Sequence, residues 1–424
     1  MGPVDTAGPA ATNRTFDVLS LGTFVLVGLP DGMLGTAWPA MRHSFGEPVG
    51  DLGFILLVST VGSVLVATFV GRLLRRVGAP ALLGIALGCA ATGGVGFALA
   101  PGLWLVLSIG VLVGAASGMM DGGLNTAVAL TGRTRLLNLL HGFYGIGATI
   151  GPLVVTAAIL SGTWRPAYLA FALLDLVVAA SWLLYRRRGG GAPAARASGG
   201  VETPPADPVE VDPVEVDPVE VDPLGGRSRR HVVSVLAAGM AIFFVYTGLE
   251  VGAGQWETSF LRGHLGLSAS VAGLSAFGYF GALTAVRIGL AFGVFAAGRV
   301  IRWGCLIGAA ATGLIWWQPD PAVTVAGFVV LGGALAGVFP ALVAVTPQRI
   351  GRRRAEHAIA WQVGAAAAGG SAISALIGVL INATSLAVLG PSLVVLAVVL
   401  LVAVAALARL APIRSLPPRV AAGR

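Results

Sequence analysis

Charge is scarce in this sequence. Only 11% of its 424 residues are Asp, Glu, Lys or Arg, whereas a water-soluble domain carries about 25%. That shortage excludes an ordinary soluble globule. There are two cysteines, Cys89 and Cys305, both inside apolar stretches, which excludes a disulfide framework or a cysteine metal set. Lysine is absent altogether; with the heavy use of Ala, Gly, Val, Pro and Arg this reads as coding bias and carries no mechanism. No nucleotide-binding glycine loop, metal cluster or nucleophile–base pair occurs in a polar segment, so no enzyme chemistry, cofactor or metal is expected. The first fifteen residues are polar and proline-bearing, unlike a signal peptide.

Long apolar runs are abundant instead. Twelve spans are read, at 16–42, 51–70, 79–100, 102–131, 136–161, 164–185, 231–260, 268–297, 304–318, 321–346, 356–382 and 386–410, each long enough to cross a bilayer or nearly so. The fold class expected is an all-α membrane protein with twelve transmembrane helices. With the N-terminus inside, 23 arginines fall on the cytoplasmic side, three (Arg42, Arg165, Arg262) fall outside, and Arg287 lies within a span. This positive-inside bias predicts a multi-pass plasma-membrane protein with both termini cytoplasmic. It assigns the net charge of +8 to topology and lipid head groups, not to nucleic acid.

The chain divides into two six-span bundles, 1–188 and 229–424, joined by a cytoplasmic linker, 189–228. Within the linker, residues 207–223 repeat the unit D-P-V-E-V; proline at every fifth position and like charges predict an extended, disordered spacer. The halves resemble each other. "GRLLRRVG" follows the second span, with Gly71, Arg72, Arg75 and Arg76, and "GRVIRWG" follows the eighth, with Gly298, Arg299 and Arg302. "LPDGMLGTAW" in the first span is answered by "GLEVGAGQW" in the seventh, placing Asp31 and Glu250 at related positions. Such an internal duplication predicts two pseudo-symmetric six-helix bundles around a midplane site.

Charged residues inside a membrane are costly and usually face a cavity. Asp121 lies about 18 Å along the helix from Arg133, on one face with Gly114, Ser117 and Asn125. Asp31 is at similar depth, with Gly28, Gly35 and Trp38 on its face. Glu250 shares a stripe with Tyr246, Gly254 and Glu257, beside Gln255 and Trp256. An aromatic ring beside amide and carboxylate acceptors suits a sugar; Trp256 as an interfacial anchor is the alternative. In the fifth span Asn138, His141, Gly145 and Pro152 share a face, His141 being either a titrating or a structural histidine. Arg287 is expected to form a buried ion pair with Glu250. Gln362 completes the candidate substrate contacts. Asp175 has only apolar neighbours in sequence and no assigned role.

The twelve spans, the central loop and the two "GR…R…G" turns resemble the major facilitator superfamily. In the first turn Leu74 replaces the aspartate common in that family, which removes the usual carboxylate latch. "GATIGP" partly resembles the antiporter signature of drug exporters, with Val154 and Val155 where glycines are expected. A first-span and a fourth-span carboxylate followed by "LNLLHGFYGIGA" is similar to the branch of fucose permeases and sodium-dependent glucose transporters. That resemblance implies proton-coupling roles for Asp31 and Asp121. The residues themselves make Trp38, Asn125, Asn138, His141, Glu250, Gln255, Trp256 and Gln362 the candidate substrate contacts. The expected function is proton-coupled uptake of a sugar or similar small polar solute by a monomer, with sodium as the other ion. The alternative is a proton-coupled exporter of drugs or metabolites.

Overall fold

A computed structural model describes residues 14–131, 133–190, 229–293 and 295–412. The acidic repeat lies outside the described residues, as does nearly all of the linker. Among the described residues there are helices and turns but no strand. In chain order the helices are α1 (Arg14–Phe45), α2 (Leu52–Ala67), α3 (Val70–Val77), α4 (Ala79–Leu99), α5 (Leu103–Ala129), α6 (Thr134–Leu160) and α7 (Arg165–Arg187). The second half contributes α8 (Arg229–Gly263), α9 (Ala269–Phe292), α10 (Ala297–Trp317), α11 (Pro321–Leu335), α12 (Val338–Ile350), α13 (Arg352–Ala383) and α14 (Leu389–Leu410). Twelve stretches are long and apolar enough to cross a membrane, α11 and α12 together forming one of them.

The halves repeat one packing scheme. In the first bundle α1 packs on α6, α2 on α5 and α4 on α7; in the second, α8 packs on α13, α9 on α11 and α10 on α14. Close approach rests on glycine. A Cβ at Gly28 would stand 2.0 Å from the Tyr144 carbonyl oxygen, and one at Gly32 would stand 2.0 Å from that of Ala148. The backbones of α1 and α6 therefore meet without an intervening side chain, as membrane helices do when small residues line the seam. Pro152 lacks the N–H that would bond Ala148 oxygen in a regular helix, which leaves that oxygen free to face Gly32.

Two boundaries differ from the sequence reading. The turn carrying Gly71, Arg72, Arg75 and Arg76 is its own helix, α3, because its arginines repeat at helical spacing along a polar face. The ninth span begins at Ala297, not 304, so Gly298, Arg299 and Arg302 form the first turns of α10. Both motifs lie at the arginine-rich end of the molecule. There too, Arg133 grips Asp17 at 2.6 and 2.5 Å, tying the α5–α6 turn to the start of α1. That hydrogen-bonded partner raises the Arg133 pKa above the ordinary arginine value.

Contacts between the bundles seal the opposite end. Gly50 N–H donates to Asn382 Oδ1 at 2.7 Å, and Asn382 Nδ2 donates to Asp51 at 3.0 Å. Gln255 Nε2 donates to the Asp31 carbonyl at 2.9 Å. Trp38 and Trp256 are fully buried, their indoles donating to the carbonyls of Val49 and Ser374. At the arginine-rich end Leu130, Phe292 and Phe295 stay exposed. The bundles are thus bonded to each other at one end, the closed one, and the arginine-rich end is read as the open one.

Candidate functional site

A cavity of about 330 Å³ lies where the bundles meet. Among the described residues, Asp31, Glu250 and Arg287 are its charged lining residues. From the first bundle, Asp31 on α1 accepts a hydrogen bond from the Tyr144 hydroxyl on α6. The glycine seam of α1 and α6 brings these two side chains together. From the second bundle, Arg287 on α9 places Nη2 3.7 Å from Glu250 Oε2 on α8. Tyr246, one turn before Glu250, sets its hydroxyl against the same carboxylate oxygen and 2.9 Å from the Leu335 carbonyl. Asp31 and Tyr144 lie within electrostatic range of Glu250, so the two walls act on one another.

The tenth span is broken here, between α11 and α12, where the sequence reading has one continuous helix. Pro340 has no N–H to offer the Ala336 carbonyl four residues earlier. That carbonyl instead accepts from Arg287 Nε at 3.1 Å. Irregular backbone is tolerated at membrane depth where protein groups satisfy it or it lines a cavity. Arg287 is therefore held from two sides, by Glu250 and by the end of α11.

The sequence-derived candidates separate into three groups. Asp31, Glu250, Gln255 and Arg287 line the cavity. Asp121 and Asn125 do not. They continue the Gly114–Ser117 face of α5 toward the open end, Asn125 Nδ2 donating to Asp121 at 2.9 Å. His141 lies within electrostatic range of both Asp121 and Arg287. Trp38, Trp256 and Gln362 are corrected: none reaches the cavity. The indoles are spent in the closed end, and Gln362 is buried between α8, α12 and α13, accepting from the Thr346 hydroxyl at 3.0 Å. The Asn138 side chain is outside the described residues.

Tyr144 is the residue the sequence reading missed. Its signal was its position three residues after His141, which brings it one turn deeper on α6. A lobe of the cavity was also missed. It runs between α2, α4, α5 and α7, walled by Ile55, Val113, Phe171 and the stacked rings of Phe97 and Tyr168, 5.4 Å apart at 22°. Phe97 comes from α4, which has no charged residue, and Tyr168 and Phe171 from α7, whose Asp175 did not point to them. Asp175, one turn beyond Phe171, is fully buried, and neither carboxylate oxygen has a partner among the described residues.

The family model for the Major Facilitator Superfamily matches residues 20–293. The chain belongs to the major facilitator superfamily. It is a membrane transporter, not an enzyme, and other members share its fold at low identity. A mutant of the nucleoside transporter NupG superposes with a TM-score of 0.68 at 13% identity, over 93% of this chain and 100% of that one. The peptide transporter POT, a mutant in complex with alafosfalin, gives 0.67 at 13%, over 94% and 96%. A bacterial homolog of the human lysosomal transporter Spinster, inward-facing and occupied, gives 0.64 at 14%, over 95% and 97%. No curated protein matches the chain.

Proposed function

We propose that this superfamily member is a proton-coupled transporter of a small organic solute, working by alternating access in the plasma membrane, with its arginine-rich end in the cytoplasm. One observation carries the reading: Asp31 borders the cavity between the bundles with a tyrosine hydroxyl as its neighbour and, among the described residues, no ion-pair partner. Asp31 is exposed to the cavity at membrane depth, where an ionised carboxylate is costlier than in bulk water, and taking a proton removes that cost. Protonation would thus license the loaded carrier to reorient. Asp121, with His141 in range, is the relay between Asp31 and the open end. The resemblance to the fucose-permease branch supports these two carboxylates as proton carriers.

Gln255, Thr247, Thr284 and Ser371 are among the residues lining the cavity, which supports a polar solute such as a sugar. The aromatic lobe favours the second reading, an exporter of an amphiphilic metabolite or drug-like molecule. The test is transport of a solute panel of sugars and amphiphiles into proteoliposomes with and without an imposed pH gradient. Accumulation of at least one solute that depends on the gradient is expected. Transport of solutes at one rate regardless of the gradient would remove proton coupling from the account.

A further inference from the structure

The cavity carries an imbalance. Two carboxyl groups, Asp31 and Glu250, face a single guanidinium, Arg287, so one carboxyl is left to be neutralised by a proton or by a cation from outside the protein. Arg287 is already engaged by Glu250 and by the Ala336 carbonyl, so the uncompensated group is Asp31. Two further polar atoms of lining residues are buried without a partner among the described residues: Gln255 Oε1 and Thr247 Oγ1. The Gln255 amide is fixed by its Nε2 donating to the Asp31 carbonyl. Its oxygen is therefore an acceptor with no donor, on the residue that bonds the backbone of Asp31. Two acceptors, one of them anionic, require a ligand that brings donors and positive charge. The aromatic lobe shares the same cavity and offers an apolar, stacking wall.

We infer that the site takes a protonated primary or secondary amine joined to an apolar ring: the ammonium between Asp31 and Gln255, the ring in the lobe of Phe97, Tyr168 and Phe171. This rests on the proposed coupling role of Asp31 and narrows its substrate class. The binding step balances as an exchange. The Asp31 carboxylic acid gives up its proton, and the ammonium takes its place beside the carboxylate. One charge arrives and one leaves, so the net charge of the cavity is unchanged. An anionic solute would bring a negative charge against two carboxyl groups and displace no proton. A neutral sugar would leave the charge of the site to the proton alone.

The experiment uses the purified full-length chain in lipid nanodiscs, weakly buffered at a pH where the empty site holds its proton. The probes are 2-phenylethylammonium, its neutral counterpart 2-phenylethanol, and glucose. Binding and proton release are read together, with a pH indicator. The amine is expected to bind and release about one proton per molecule bound. Asp31→Asn should weaken amine binding about a hundredfold, the loss expected when one partner of a buried charge pair is removed, and abolish proton release. Its folding is read separately, as a melting temperature in detergent at or above that of the parent chain. Phe171→Ala should weaken both ring-bearing probes about tenfold while each bound amine still releases its proton.

The inference is overturned if the amine binds no better than the alcohol, if it binds with no proton release, or if Asp31→Asn binds it as well as the parent chain. Should the amine fail in these ways while a sugar still moves with protons in proteoliposomes, the coupling role stands and only the substrate class is wrong. Should no solute move with protons, the coupling role itself is lost.

Discussion

Asp31 is reached by a hydroxyl from α6, and that single donor shapes how the first bundle presents its charge. Glu250, at the related position of the second bundle, has the same kind of neighbour in Tyr246 and gains Arg287 besides. Each of the two related acidic positions thus meets a tyrosine hydroxyl, and Glu250 alone of the two has a guanidinium within ion-pair distance among the described residues. At the arginine-rich end the residue-scale bond to test is Arg133–Asp17, whose side chains are 26% and 22% exposed. A part-exposed but bidentate pair contributes modestly. Asp17→Asn is expected to lower stability by about 1 kcal/mol, read as a fall in melting temperature in detergent that narrows at high salt. An unchanged melting temperature would show the pair to be ornamental. The positions of Asp31, Glu250 and Arg287 were legible because a membrane leaves so few charged residues to choose among. Trp38, Trp256 and Gln362 were misread because an aromatic or amide on the right helix can turn either to a cavity or to a neighbouring backbone. Only the packing of the closed end decides that.

Among the elements, the break between α11 and α12 and the glycine seam of α1 have local causes. The break was illegible in hydropathy, since residues 321–346 are apolar throughout; Pro340 was the available signal. Pro340→Ala restores an N–H that competes with Arg287 for the Ala336 carbonyl. The expected result is a straighter tenth span, unchanged or higher thermal stability, and a transport rate lower by about tenfold, equal to about 1.4 kcal/mol in the rate-limiting step. A parent rate would show that the break is not used. Gly28→Val puts atoms where the Tyr144 carbonyl now lies. Overpacking of that kind costs about 1–3 kcal/mol. It should also carry Tyr144 away from Asp31, so thermal unfolding and the pH dependence of transport are expected to change together. A stability loss with an unaltered pH profile would separate the seam from the site.

Across the whole molecule, the two bundles close one end with a few polar bonds and leave the other open. The twelve spans and their duplication were legible from hydropathy and from the repeated motifs. Which end is shut was not, because alternating access requires one sequence to favour both states nearly equally. Asn382 holds two of the closing bonds. At about 1 kcal/mol each, their removal in Asn382→Ala should move the population toward the opposite opening by roughly tenfold or more. Labelling of a cysteine at Ser371 by an impermeant reagent from the closed side should rise by that factor. No rise would mean that the seal is made by the buried aromatic packing alone.

The central claim is that Asp31 carries the proton that drives the carrier. The most direct measurement compares the parent chain with Asp31→Asn in proteoliposomes, in two modes, for a solute the parent accumulates. Gradient-driven accumulation needs the proton; exchange of labelled for unlabelled solute at equal concentration needs only reorientation of the loaded carrier. The account predicts that Asp31→Asn loses accumulation and keeps exchange. Accumulation at the parent level by Asp31→Asn would contradict it and move the coupling role to Asp121 or Glu250.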